Sequence, residues 1–206
     1  MRRAAAIPLL ALALAACGGA TTTTATGPTG ATTAPATTAA APAWPTADVF
    51  PAKGRARAVV VLFHGWTDLT PRDGYLPWIR HLQAEGAAVV FPRYQRGLLS
   101  PPAQMLAAAE AGTRDGLARA PQGVPVVAAG YSLGGGYAVV YGANAQRWGV
   151  RKPDAVYAVF PALPPAVPDP FGEVPEATSV RLVVGDRDAV VGRAGAEQLA
   201  AAIAPH

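Results

Sequence analysis

Cysteine occurs once in this chain, at Cys17, so no disulfide can form within it. Serine is nearly as scarce: Ser100, Ser132 and Ser179 are the whole set. Histidine is limited to His64, His81 and His206. Charged residues make up only 15% of the chain, with 17 basic against 13 acidic side chains. Two of the basic ones, Arg2 and Arg3, fall in what reads as a cleavable leader, and the remaining arginines are scattered without a basic run. No nucleic-acid partner is therefore expected, since such an interface needs clustered positive charge. No His, Cys, Asp and Glu grouping has metal-ligand spacing, and no Gly-rich loop of the phosphate-cradling kind is present. Neither a metal nor a cofactor is expected, and there are no internal repeats.

What is there begins with Met1-Arg2-Arg3, followed by an apolar stretch from Ala4 to Ala16. A positive start, a short apolar middle and small residues at a cleavage point make a secretory signal, too short to span a bilayer stably. Leu14-Ala15-Ala16-Cys17 resembles a bacterial lipoprotein signal. That resemblance implies that Cys17 becomes the lipidated first residue of the mature protein, held on the extracytoplasmic face of a membrane of the bacterial envelope. From Ala20 to Pro45 the chain is mostly Thr, Ala, Pro and Gly and carries no charge. Such a stretch buries too little apolar surface to fold and reads as an extended tether. The expected division is a signal peptide over 1–16, a lipid-anchored linker over 17–46 and one folded domain over 47–206.

Five short apolar runs mark that domain: Ala58–Phe63, Ala87–Phe91, Val124–Ala129, Ala155–Phe160 and Val180–Val184. They are rich in valine and almost free of polar residues, the pattern of strands buried on both faces of a parallel sheet. Helix-like stretches lie between and after them, over Tyr75–Ala84, Gln104–Arg119, Leu133–Arg147 and Arg193–Ile203. The alternation predicts an α/β fold: a mainly parallel central sheet with helices on both faces. Pro161–Glu176 carries Pro161, Pro164, Pro165, Pro168, Pro170 and Pro175. That density of proline forbids a helical lid and predicts a stiff loop at the sheet edge, without a helical cap domain.

The middle strand runs into Gly130-Tyr131-Ser132-Leu133-Gly134, and a helix follows. A serine turned sharply between strand and helix needs neighbours without Cβ atoms, and glycines stand two residues before and two after it. The turn lifts the Ser132 hydroxyl over the sheet edge, and the helix start offers free N–H groups to an anion. This is the pattern of a nucleophile elbow. The first strand ends in Phe63-His64-Gly65-Trp66, and a late strand leads into Gly185-Asp186-Arg187-Asp188.

Taken in this order, His-Gly, Gly-x-Ser-x-Gly and a late acid resemble the α/β-hydrolase fold, over about Val59 to Ala202. The resemblance implies a serine hydrolase with Ser132 as nucleophile and Asp188 as the carboxylate, Asp186 being a turn residue. It implies an oxyanion hole made by the N–H groups of Leu133 and Trp66, with His64 bracing the loop. It also implies a histidine on a loop after one more helix and one more strand. Here the chain offers the Arg193–Ile203 helix and then Pro205-His206. The expectation is thus a shortened version of a longer hydrolase, cut before that strand and histidine, with His206 the remaining candidate base and His81 a surface residue. Trp66, Tyr75, Trp78, Tyr94 and Tyr131 are candidates for a substrate pocket, Tyr131 first among them because it adjoins the nucleophile.

The leading functional expectation is cleavage of carboxylic esters or related acyl compounds through an acyl-enzyme on Ser132. Two alternatives stand beside it. One is a non-catalytic cell-surface protein on a hydrolase scaffold, because the base is poorly placed. The other is an acyltransferase that uses an alcohol acceptor in place of water.

Overall fold

Val-rich runs that satisfy their backbone only by pairing with neighbours on both sides assemble here into one sheet. The computed structural model describes residues 46–67, 74–165 and 174–203. In chain order these form β1 (Ala47–Phe50), β2 (Ala58–Phe63), α1 (Leu76–Ala84), β3 (Ala87–Pro92), α2 (Pro102–Arg119), β4 (Val126–Tyr131), α3 (Leu133–Asn144), β5 (Ala155–Val159), β6 (Ser179–Val183) and α4 (Ala194–Ile203). The strands lie in the order β1-β3-β2-β4-β5-β6, with β1 antiparallel to β3 and every other pair parallel. The register sets Phe63 beside Gly130 and Gly130 beside Ala158, so the ends of β2, β4 and β5 meet at one carboxyl edge.

Alternation along the strands divides the core into two layers. Val59, Val61 and Phe63 of β2 point with Val90, Ala128 and Val156 into the larger layer, which α2, α3 and α4 cover through Met105, Tyr137 and Leu199. Val60 and Leu62 point the other way and meet Val89, Phe91 and Ile79 beneath α1. Helices therefore stand on both faces, as the alternation of runs predicts. Every residue of α3 is buried, which explains why Leu133–Asn144 carries no charge at all. Burying its four tyrosine and valine side chains, at about 1.5–3 kcal/mol each, makes α3 the main anchor of the larger layer.

The elements fall close to their expected spans, with two informative shifts. β4 begins later and continues through Gly130-Tyr131 to the elbow itself. β1 has no counterpart among the expected strands, because four residues containing Asp48 give little apolar signal. Tertiary contacts make it a strand: it pairs with β3, and Arg93 Nε donates to Asp48 Oδ2 at 2.8 Å. Its start is tied down as well. Thr46 accepts from the Arg93 N–H at 2.8 Å and donates its hydroxyl to Asp115 Oδ2 at 2.6 Å. Burial pushes the Asp115 carboxyl up, but the Thr46 hydroxyl and Arg119 outweigh it and leave its pKa lowered. Among the described residues no helix is long and apolar enough to cross a membrane.

Candidate active site at the carboxyl edge of the sheet

The elbow is steric in origin. A Cβ on Gly130 would stand 2.0 Å from the Gly134 carbonyl oxygen, and one on Gly134 would stand 2.2 Å from the Phe63 oxygen. Neither position admits any side chain, because the start of α3 is pressed against β4 and the end of β2. Between them Ser132 takes φ 55° and ψ −123°, a conformation that side-chain-bearing residues avoid. Strain of this kind costs on the order of 1–3 kcal/mol and persists only when the surroundings over-determine it. They do so here. The Ser132 N–H donates to Val159 O at 2.9 Å, and Ser132 O accepts from Gly135, Gly136 and Ala162 N–H groups at 2.9, 3.3 and 3.0 Å. With the Gly135 and Gly136 amides so used, the Leu133 and Gly134 N–H groups remain as first-turn donors without an intrahelical acceptor.

Positive φ at a residue other than glycine occurs at three described positions: Thr67, Ser132 and Phe160. All three follow a parallel strand, so the non-glycine backbone strain among the described residues lies at the carboxyl edge of the sheet. Phe160 donates its N–H to Val183 O at 2.7 Å and sets its ring edge-on to Tyr131, 6.2 Å between centroids. Thr67 is held by Gln95, a buried side chain whose Oε1 accepts the Thr67 N–H at 3.0 Å while Nε2 donates to Gly97 O at 3.1 Å.

A cleft of about 390 Å³ opens beside the elbow and is lined by Tyr131, Ser132, Phe160, Gly185, Asp188 and Val190 among others. Ser132, Tyr131 and Asp188, named from sequence as nucleophile, pocket wall and acid, thus share one cavity. Asp188 Oδ1 accepts from the Val190 and Val191 N–H groups at 2.8 and 3.1 Å. Those bonds fix the carboxylate and leave Oδ2 for another donor. Asp186 also lines the cleft, but it is highly exposed and lies 4.0 Å from the Arg187 guanidinium.

The loop after β2 is built differently from the elbow. His64 is fully buried, its ring stacked 4.1 Å from that of Tyr94, and its Nδ1–H donates to Gly65 O at 2.8 Å. The Tyr94 hydroxyl donates to His64 O, and the Gly65 N–H donates to the Tyr75 hydroxyl at 2.6 Å. Tyr75 and Tyr94, candidates for a pocket wall, are both buried and brace this loop from beneath, and neither lines the cleft with Ser132. Trp78 lies on α1, edge-on to Tyr75. Trp66, beyond the braced stretch, is exposed and does not line the cleft with Ser132.

The histidines separate cleanly. His64 is locked in the core, and His81 is exposed on α1, which covers the opposite layer. Neither lines the cleft. α4 starts next to the cleft loop, packs Leu199 into the larger core and runs about 15 Å to Ile203. His206 lies outside the described residues, as do Cys17 and the rest of the leader and tether up to Pro45. Among the described residues no group of three or more His, Cys, Asp and Glu side chains is placed to hold a metal ion. Sequence reasoning missed Phe160, Thr67 and Gln95. Phe160 read as the last residue of a strand, and a single glutamine after a strand carries no motif.

A mostly parallel sheet with a serine elbow after a central strand and a carboxylate after a later one defines a class: the chain has the α/β-hydrolase fold. Among solved structures it is similar to a candidate thioesterase from Silicibacter sp., with a TM-score of 0.61 and 16% identity over 76% of this chain and 68% of that one. It is also similar to a butyrate-bound esterase from the planctomycete Thermogutta terrifontis, with a TM-score of 0.55 and 18% identity over 76% and 73% of the two chains. The third is acyl-protein thioesterase 2 from Zea mays, with a TM-score of 0.54 and 17% identity over 78% and 84%. No protein-family model and no curated protein sequence matches the chain.

Proposed function

We propose that this chain is a serine hydrolase of carboxylic esters or related acyl compounds, with Ser132 as the nucleophile. The observation that carries the reading is the strained elbow opening onto a cleft that also holds Asp188. Ser132 Oγ attacks the acyl carbonyl carbon, and the developing oxyanion is met by the Leu133 and Trp66 N–H groups. A preorganised donor of this kind typically lowers the barrier by about 3 kcal/mol. The serine proton passes to an imidazole and from it to the leaving alkoxide or thiolate. Water then attacks the acyl-enzyme by the same route in reverse and releases the acid. Asp188 orients the imidazole through Oδ2, its Oδ1 being held by two backbone amides. His206 is the histidine proposed for that role. Proteins of similar fold that are named as esterases and thioesterases support the acyl class of substrate.

Full-length chain assayed on p-nitrophenyl acetate and butyrate tests this reading. Turnover that disappears in Ser132→Ala is the expected result. A second reading, a non-catalytic protein on the same scaffold, is favoured by one observation: among the described residues no imidazole lines the cleft. It predicts no turnover by the folded wild type. An added alcohol acceptor that diverts the acyl group from water would mark an acyltransferase instead. The proposed location is the bacterial envelope, anchored through a lipidated Cys17. Partition into detergent phase that is lost in Cys17→Ser is the corresponding check.

A further inference from the structure

The parallel strands β2 to β6 all end at the edge that holds the cleft. On that edge each strand end presents at least one exposed large apolar side chain: Trp66 after β2, Leu98 and Leu99 after β3, Tyr131 at the end of β4, Leu163 after β5 and Val190 after β6. Leu99 and Val190 are both 94% exposed and Leu98 60%, so these side chains stand out into solvent. The opposite edge differs in kind. Its exposed residues include Lys53, Arg55, Arg57, Gln122 and Lys152, and none of the exposed large hydrophobics lies on the loops that carry them. Scattered apolar residues on a surface need no account, and Trp78 on α1 and Tyr157 within β5 are of that kind, but eight of the ten exposed large hydrophobics among the described residues lie at these strand ends, and that does need one.

Two features identify what meets this edge. The tips are spread over five strand ends, Leu98 and Leu99 together on one and Tyr131 at the end of β4 itself, rather than set in one groove, which suits a fluid apolar phase that moulds around them. The second feature is topological. β1 is antiparallel, and its first residue, Ala47, pairs with Pro92 at the end of β3. The described chain therefore enters the domain at this same edge, at Thr46. We infer that the carboxyl edge rests on a lipid surface, with Leu98, Leu99 and Val190 inserted among the acyl chains. The cleft then draws its acyl substrate from the lipid–water interface; this second half rests on the hydrolase reading above.

The test uses full-length chain mixed with phosphatidylcholine vesicles, made with either plain or brominated acyl chains. Bromine quenches indole fluorescence only within the bilayer, and subtracting the Trp66→Phe variant isolates the Trp66 signal. The expected result is marked quenching of Trp66 by the brominated vesicles, reduced about tenfold or more in Leu98→Asp/Leu99→Asp, whose two leucines would otherwise enter the acyl region. That variant keeps wild-type turnover of a water-soluble acetate ester, since neither leucine lines the cleft. Equal Trp66 emission with plain and brominated vesicles overturns the proposal, whether the chain is vesicle-bound through its basic edge or its leader, or not bound at all. Quenching without any ester turnover leaves the docking surface standing and removes the hydrolase reading alone.

Discussion

The two halves of the cleft are held by unlike means. On the nucleophile side, β4 and α3 are pressed together so closely that two positions admit only glycine, and four backbone hydrogen bonds converge on Ser132. On the acid side, β6 is an edge strand with alternate residues exposed, and Val183, Val184 and Val190 face solvent. Asp188 is held by its own turn, through two amides two and three residues further on. The nucleophile is thus fixed by packing of distant segments and the acid by local turn chemistry. The first arrangement is intolerant of any added atom. The second tolerates change in its surroundings so long as the carboxamide or carboxylate oxygen remains to accept the two bonds.

That contrast can be broken most severely at Ser132 itself. Ser132→Ala should lower kcat for a p-nitrophenyl ester by about 10⁴-fold or more while leaving the melting temperature within a degree or two, because the methyl group fits where the hydroxyl stood. Asp188→Asn is next. Its Oδ1 still accepts from Val190 and Val191, so the fold is kept, but the charge that would orient and stabilise an imidazolium is gone; kcat should fall about 10³–10⁴-fold with little change in stability. Gly134→Ala sharpens the other half. Its Cβ would meet the Phe63 carbonyl oxygen, which is backbone and cannot swing aside, so denaturant unfolding should show a loss of about 3 kcal/mol or more, or no folded protein.

Smaller effects follow from the periphery. Asp115 has a lowered pKa, so its contribution to stability is present at neutral pH and is lost as pH falls through the folded-state pKa. Asp115→Asn should therefore melt below wild type at pH 7, and the gap should begin to close only as pH falls below the ordinary carboxylate value of 3.8. The group is largely solvated, which keeps the expected difference under about 1 kcal/mol. Val190→Ser on the acid side should change unfolding free energy by less than about 0.5 kcal/mol, against the several lost at Gly134. A large loss at Val190 would erase the distinction between the two halves.

The same distinction explains what could be read from the sequence. The Gly-x-Ser-x-Gly run is legible because its glycines answer a steric demand that no other residue satisfies. The Val-rich strands are legible because burial on both faces leaves no room for polar residues. β1 escaped notice because nothing in Ala47–Phe50 makes a strand without β3 and the Asp48–Arg93 pair beside it. Tyr75 and Tyr94 are candidates for a pocket in the sequence, and in the structure their hydroxyls support the His64–Gly65 loop. An aromatic residue near a site looks the same in sequence whether its ring lines a cavity or its oxygen holds a loop. The Gln95–Thr67 clamp and the turned Phe160 depend on backbone conformations at other strand ends, which no local pattern records.

The account rests on Ser132 being an activated nucleophile at a packed elbow. A fluorophosphonate probe applied to the full-length chain, followed by peptide mass spectrometry, measures that directly. The account predicts a covalent adduct on Ser132, absent from Ser132→Ala and from heat-unfolded protein. Folded wild-type chain that takes up no label at Ser132, while a known serine hydrolase in the same tube is labelled, would contradict it.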